Sequence, residues 1–163
     1  MINKSRFTAD ARRWFAAGDN VIARAAPLVG QDITQQDAIE VAYDLQTGSY
    51  VEALADPAYR ADKQAWGRRL AEVLSGLGVA SVCEAGVGEA TTLAPVIEAT
   101  SPAVRFAGFD LSLSRLLQAR AYLAGQGQAA RLFCADLLRI PLPDNAVDVI
   151  LTNHGIEPNG GGE

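Results

Sequence analysis

Val82-Cys83-Glu84-Ala85-Gly86-Val87-Gly88-Glu89-Ala90-Thr91 is the stretch that decides the fold. An apolar run ends in two closely spaced glycines, and a helical pattern follows over about residues 91–99. Gly86 and Gly88 let the backbone turn tightly and approach a ligand closely, while the small Ala90 lets the next helix begin against the sheet. Alone, two glycines after a strand are a turn that many α/β proteins make. What surrounds them gives the turn its meaning.

Downstream, strand and helix patterns alternate. Strands are expected over residues 79–85, 104–109, 130–134 and 147–151. A helix is expected over 113–123, closed by Gly125 and Gly127. Pro141-Leu142-Pro143-Asp144-Asn145 forces a loop before the last strand. Strands that are apolar on both faces and alternate with helices predict a parallel α/β sheet with right-handed crossovers.

Upstream of Gly78 the texture is helical. Phe7, Ala11, Trp14, Phe15, Val21 and Ile22 form a stripe interrupted at Gly18. Thr34 with Asp37 three residues later resembles a helix start, and Ala38, Val41, Ala42 and Leu45 follow on one face. Asp56 as cap and Pro57 at the first helical position start a third helix through Trp66, Leu70, Val73 and Leu74. The expected organisation is a helical cap over residues 1–78 and a Rossmann-like part over 79–163, together one compact domain.

Composition narrows the functional classes. The chain has 163 residues, 49% apolar and 20% charged, which excludes a largely disordered chain. Neither a run of about 20 apolar residues nor a secretory signal is present, so no membrane association is expected. The net charge of −5 points away from nucleic acid as partner. Arg60, Lys63, Arg68 and Arg69, diluted by Asp56 and Asp62, read as a solvated helix face, with a local contact to an anionic substrate as the alternative. Cys83 and Cys134 fall in strand-like runs and read as buried side chains in a reducing cytoplasm. With His154 the one histidine, no metal site is expected.

Three carboxylates stand at strand ends. Glu84 lies two residues before the first glycine, Asp110 ends the second expected strand, and Asp136 follows the third. One such residue would be an ordinary helix cap. Three on consecutive parallel strands line the crevice where open α/β sheets bind ligands, and they suit a nucleoside-bearing, partly cationic one.

With these residues the chain resembles the class I S-adenosylmethionine-dependent methyltransferases. The glycine motif reads Glu84-x-Gly86-x-Gly88-x-Ala90, with alanine where the family usually has a third glycine. The resemblance implies that Glu84, Gly86 and Gly88 hold the methionine end of S-adenosylmethionine. It implies that Asp110 takes the ribose hydroxyls and Leu111 lies against the adenine. Asp136 would accept from the adenine amino group, Leu137 would offer its backbone amide, and Asn153 would face the methionine moiety and the methyl acceptor. Tyr43-Asp44-Leu45-Gln46-Thr47-Gly48-Ser49-Tyr50 looks like the tyrosine segment that many of these enzymes fold over the cofactor, with Tyr50 nearest the donor. Alternatively, Tyr43 and Tyr50 are seven apart and pack on one helix face.

The resemblance also implies a sheet ordered 3-2-1-4-5-7-6, of which this chain holds 3-2-1-4. The sequence therefore reads either as the N-terminal, cofactor-binding part of a longer enzyme or as a chain completed by association. An apolar edge at residues 147–151 would pair with a second copy in a homodimer. Methyl transfer from a sulfonium is an in-line displacement from an activated donor, so the protein mainly orients the acceptor, whose identity the sequence leaves open. A poorly nucleophilic acceptor needs a base, for which His154 is the candidate of near-neutral pKa and Glu157 a weaker one. A strand-end histidine also serves as a hydrogen-bonded structural residue. Two other functions compete. A nicotinamide-dependent oxidoreductase would need its third glycine where Thr91 stands and would leave Asp136 without a task. A non-catalytic cofactor-binding module would keep the carboxylates and act by association.

Overall fold

The computed structural model describes residues 4–153, so His154 and Glu157 lie outside the described residues. The chain divides into two compact units, one ending at Gln46 and one starting at Thr47. Gly78 is thus where helix gives way to strand, and not where compact units meet. The expected single compact domain with a helical part to residue 78 is corrected accordingly.

The first unit contains helices α1 (Lys4–Ala16), α2 (Val21–Ala25), a 3-10 turn (Ala26–Leu28) and α3 (Gln35–Leu45). The stripe breaks after α1 because Asn20 starts a new helix, its side chain accepting from the Ala23 amide at 3.0 Å. At α3 the Thr34 hydroxyl accepts from the Asp37 amide, and the Asp37 carboxylate accepts from the Thr34 amide, both at 3.0 Å. That reciprocal pair satisfies two N–H groups at the helix start that have no partner within the helix. Phe7, Ala11, Val21, Ala25, Ile33, Ala38, Val41 and Ala42 form this unit's core.

The second unit runs α4 (Ser49–Ala53), α5 (Pro57–Leu77), β1 (Ser81–Ala85), α6 (Leu93–Ala99), β2 (Arg105–Asp110), α7 (Leu113–Gly125), β3 (Arg131–Cys134) and β4 (Val149–Thr152). The four strands are parallel in the order β3-β2-β1-β4. This is the expected Rossmann-like order, and all four strands and both downstream helices lie within a few residues of their expected places. The start of α5 is also as expected, with Asp56 accepting from the Ala58 amide at 2.8 Å and Pro57 in the first turn.

Strand alternation sends Val82, Phe106 and Leu132 to one face, where Leu74, Leu93, Val96, Leu116, Ala119 and Leu123 of α5, α6 and α7 cover them. Cys83, Ala85 and Phe109 occupy the other face with Phe133. There the segment after β3 packs down through Leu137, Ile140, Leu142 and Val147. Asp148 fixes the register of β4 by accepting from the Ala80 and Ser81 amides and the Ser81 hydroxyl at 2.8–2.9 Å. Among the described residues β4 is an edge strand, and Ile150 on it is 53% exposed. Cys134 is also exposed, unlike Cys83 and contrary to expectation, because β3 is the opposite edge and Cys134 ends it.

Two glycines set how closely the layers approach. A Cβ on Gly67 of α5 would lie 2.6 Å from the Pro95 Cβ and 2.8 Å from the Pro95 carbonyl carbon in α6. A Cβ on Gly108 of β2 would lie 2.9 Å from Val87, the residue between the two motif glycines. Gly67→Ala is expected to lower unfolding stability by about 1–3 kcal/mol, because forced displacement of packed backbone outweighs the roughly 1 kcal/mol that alanine gains in a helix interior. Urea titration of the two proteins checks this, and a more stable variant would show that α5 and α6 can separate without cost.

Candidate functional site

The turn after β1 is built by backbone conformation. Gly86 and Gly88 adopt φ of 71° and 53°, a left-handed geometry that glycine takes at no steric cost. The Gly86 and Val87 amides both donate to the Phe109 carbonyl at 2.9 Å, tying the turn to β2. Ala90 also sits at φ 60°. Alanine for glycine here is therefore a backbone matter and not only one of size, since a side chain occupies a conformation that glycine would take more readily. Helix α6 starts at Leu93, three residues after that alanine.

The three carboxylates form a staircase along the strand ends. Glu84 pairs with Gly108, two residues before Asp110, and Asp110 pairs with Cys134, two residues before Asp136. Each step is two residues, about 6–7 Å along a strand. The parity places Glu84 and Asp110 on the same face of the sheet, the one covered by α5, α6 and α7.

Glu84 is 2% exposed, and its Oε2 has no hydrogen-bond partner. Burial pushes its carboxyl pKa up to about 8, with the Lys63 ammonium opposing and Asp110 adding to the rise. Asp110 is well partnered: one oxygen accepts from the Gly88 amide and the other from the Ser112 amide, both at 2.9 Å. It therefore braces the glycine turn. Asp136 is half-buried, and its Oδ1 accepts from the Leu138 amide at 2.9 Å. Leu111 and Leu137 are half-buried, the first accepting from the Cys134 thiol through its carbonyl at 3.3 Å. Asn153 donates through Nδ2 to the Thr92 hydroxyl at 3.2 Å.

Several neighbours gain their place only in the structure. Lys63 is only partly a member of the solvated face formed by Arg60, Arg68 and Arg69. Its Nζ donates to the Thr92 hydroxyl at 3.1 Å, and burial pushes its ammonium pKa down while Glu84 opposes. Thr92 thus receives both Lys63 and Asn153 beside the buried carboxyl. Glu89 is 1% exposed and accepts from the Gly48 and Val51 amides. An acidic residue inside the glycine motif, with apolar or small neighbours, was the available signal for it. Nothing local in the sequence separates Lys63 from the rest of its basic cluster, and nothing marks Arg115.

Tyr43 and Tyr50 do not share a helix. The first belongs to α3 in one unit and the second to α4 in the other, because the chain breaks helix at Thr47 and Gly48. Tyr50 is 42% exposed, and the Arg115 guanidinium lies 5.1 Å from its ring centroid. A separate groove of about 330 Å³ lies along the outer side of α6, lined in part by Leu54, Arg60, Pro95, Tyr122 and Gln128. None of the strand-end carboxylates lines it. Among the described residues no helix is long and apolar enough to cross a membrane.

Comparison with known proteins finds the same fold. A family model described as a methyltransferase domain matches residues 82–159. Solved structures of similar fold include an S-adenosylmethionine-dependent methyltransferase from Clostridium acetobutylicum ATCC 824, with 18% identity and a TM-score of 0.50 over 64% of this chain and 42% of that one. Another is a SAM-dependent methyltransferase from Aquifex aeolicus, with 21% identity and a TM-score of 0.50 over 64% and 55%. The mitomycin 7-O-methyltransferase MmcR aligns over 93% of this chain and 40% of its own, with 19% identity and a TM-score of 0.50. At these identities the likeness is one of fold. The chain spans between 32% and 55% of the length of the solved chains it is similar to. No curated protein matches it. From residue 82 onward the chain matches a methyltransferase-domain family model, and it shares its fold with S-adenosylmethionine-dependent methyltransferases.

Proposed function

We propose that the crevice above β1 and β2 binds S-adenosylmethionine and that the protein transfers its methyl group to an acceptor nucleophile. The observation that carries this reading is Glu84, a buried carboxyl with an unpartnered oxygen directly before the glycine turn. An orphaned acceptor of this kind is costly unless a ligand supplies the missing donor or charge. A ligand with a cationic amino-acid end and a nucleoside end fits Glu84 and Asp110 together.

When bound, the cofactor supplies a methyl group on a sulfonium, already activated for displacement. The chain's own residues bind and orient. Glu84 takes the cationic methionine end, with Gly86 and Gly88 leaving room for close approach. A carboxylate has about four acceptor sites, so Asp110 keeps capacity for the ribose hydroxyls beyond its two amide bonds. Leu111 offers an apolar surface to the adenine, and Asp136 and Leu137 a polar edge. Asn153, held by Thr92, presents its remaining amide oxygen towards the reacting end, and Tyr50 covers the site.

Calorimetric titration with S-adenosylhomocysteine, with NAD as control, tests the reading. Saturable one-to-one binding of the first and none of the second is expected. A folded chain that binds neither, or that prefers NAD, would overturn it.

A further inference from the structure

The turn that cradles the cofactor in this reading is also fastened to the segment carrying Tyr50. Helix α4 has five residues, and its N-cap, Gly48 at φ 100°, has no side chain to accept from the first turn. Such a short helix is not stable by itself, and its first amides need acceptors from elsewhere. Glu89 supplies them from about forty residues away, its two oxygens accepting from the Gly48 and Val51 amides at 2.8 Å each. A buried carboxylate at a helix N-terminus is a strong, directional acceptor. A second attachment reaches the same turn: the Arg115 guanidinium against the Tyr50 ring places Nη1 3.9 Å from where a Gly88 Cβ would lie. Glu89 itself stands between two left-handed residues, Gly88 and Ala90. The direction of its side chain is therefore set by the conformation of the cofactor turn.

We propose that Glu89 is a positioning residue that places the Tyr50 segment over the cofactor site and makes that placement depend on the glycine turn. The inference rests on the proposed cofactor reading. It adds that Tyr50 is held by the turn and does not close independently of it. Ligand binding that settles Gly86–Gly88 settles α4 as well, through the two amide bonds.

Glu89→Gln tests this, because glutamine keeps the shape and one acceptor but turns an amide donor towards the second N–H. The measurements are amide exchange at Gly48 and Val51 and affinity for S-adenosylhomocysteine, with melting temperature as the folding control. In the unaltered protein the ligand is expected to slow exchange at both amides. In E89Q exchange should be at least about tenfold faster, affinity about tenfold or more weaker, and the ligand-induced slowing lost. Should E89Q fail to fold, Val51→Pro removes one donor from the first turn of α4 while leaving Glu89 intact, and the same loss of affinity is expected. Unaltered affinity in a folded variant, with the original protein binding normally, would overturn the positioning role alone. Failure of the original protein to bind would overturn the cofactor reading and this inference with it.

Discussion

Asp110→Ala is expected to lower affinity for S-adenosylhomocysteine at least about a hundredfold, the largest binding effect foreseen for a single residue of this chain. Two contributions add. Two ribose hydroxyls lose a charged acceptor, and hydrogen bonds to charged groups contribute about 1.5–3 kcal/mol each. The Gly88 and Ser112 amides also lose the oxygens that hold them at 2.9 Å, so the turn loosens. A ligand lacking the ribose hydroxyls separates the two. Against the unaltered protein, the 2′,3′-dideoxy analogue should bind far more weakly than the parent. Against D110A the two should bind alike. If D110A still prefers the hydroxylated ligand by the original margin, Asp110 serves only the turn and another residue reads the ribose.

Glu84 governs the second large effect, which appears in stability against pH. Its folded-state pKa of about 8 lies above the ordinary carboxyl value of 4.5. Between those values the folded state holds the proton more tightly than the unfolded chain, so stability falls as pH rises through that window. Below it the carboxyl is neutral in both states and carries no penalty. Above it the full penalty, a few kcal/mol, applies. Glu84→Gln is therefore expected to flatten the fall in melting temperature between pH 5 and 8 and to be more stable than the original at the alkaline end. The same substitution should weaken cofactor binding, because a neutral amide does not pair with a cation. A cationic ligand end beside Glu84 must also expel its proton. Titration at neutral pH in buffers of differing ionisation heat should show close to one proton released by the original protein and none by E84Q. An unchanged pH profile in E84Q would place the stability slope elsewhere, and equal ligand affinity would remove Glu84 from the site.

Both predictions turn on a conflict that the sequence only hinted at. The motif glutamate is destabilising where it stands, buried and unpartnered, and its retention makes chemical sense with a cationic ligand. Its position two residues before the glycine turn was legible from spacing alone. Its burial was not, because depth in a parallel sheet depends on which strands flank β1 and how they are registered. The staircase of carboxylates has the same origin: register offsets between β1, β2 and β3 are tertiary quantities. Asp110 illustrates a further gap. Its place at a strand end was plain, whereas its bond to Gly88 depends on a turn folding back across β2.

Much of the second unit followed from local chemistry. Alternating apolar runs, paired glycines, Asp56 with Pro57, and the proline-rich break before β4 each act over a few residues, so strands, helices and caps could be read in order along the chain. The Thr34–Asp37 capping box in the first unit belongs with them, because its bonds span three residues. Contacts across long separations were decided only by packing. Lys63 leaves its charged face because α5 presses against α6, an approach that Gly67 permits. Cys134 is exposed because β3 is an edge. Tyr50 parts from Tyr43 because the helix breaks at Thr47 and Gly48 and α4 takes its acceptors from Glu89 in the glycine turn. Sequence by itself determined most of the elements, their order and the family resemblance, since periodicity, capping and turn chemistry are local. Tertiary structure alone decided which charges are buried, which are paired and which segment the turn holds, since burial and pairing exist only once distant segments meet.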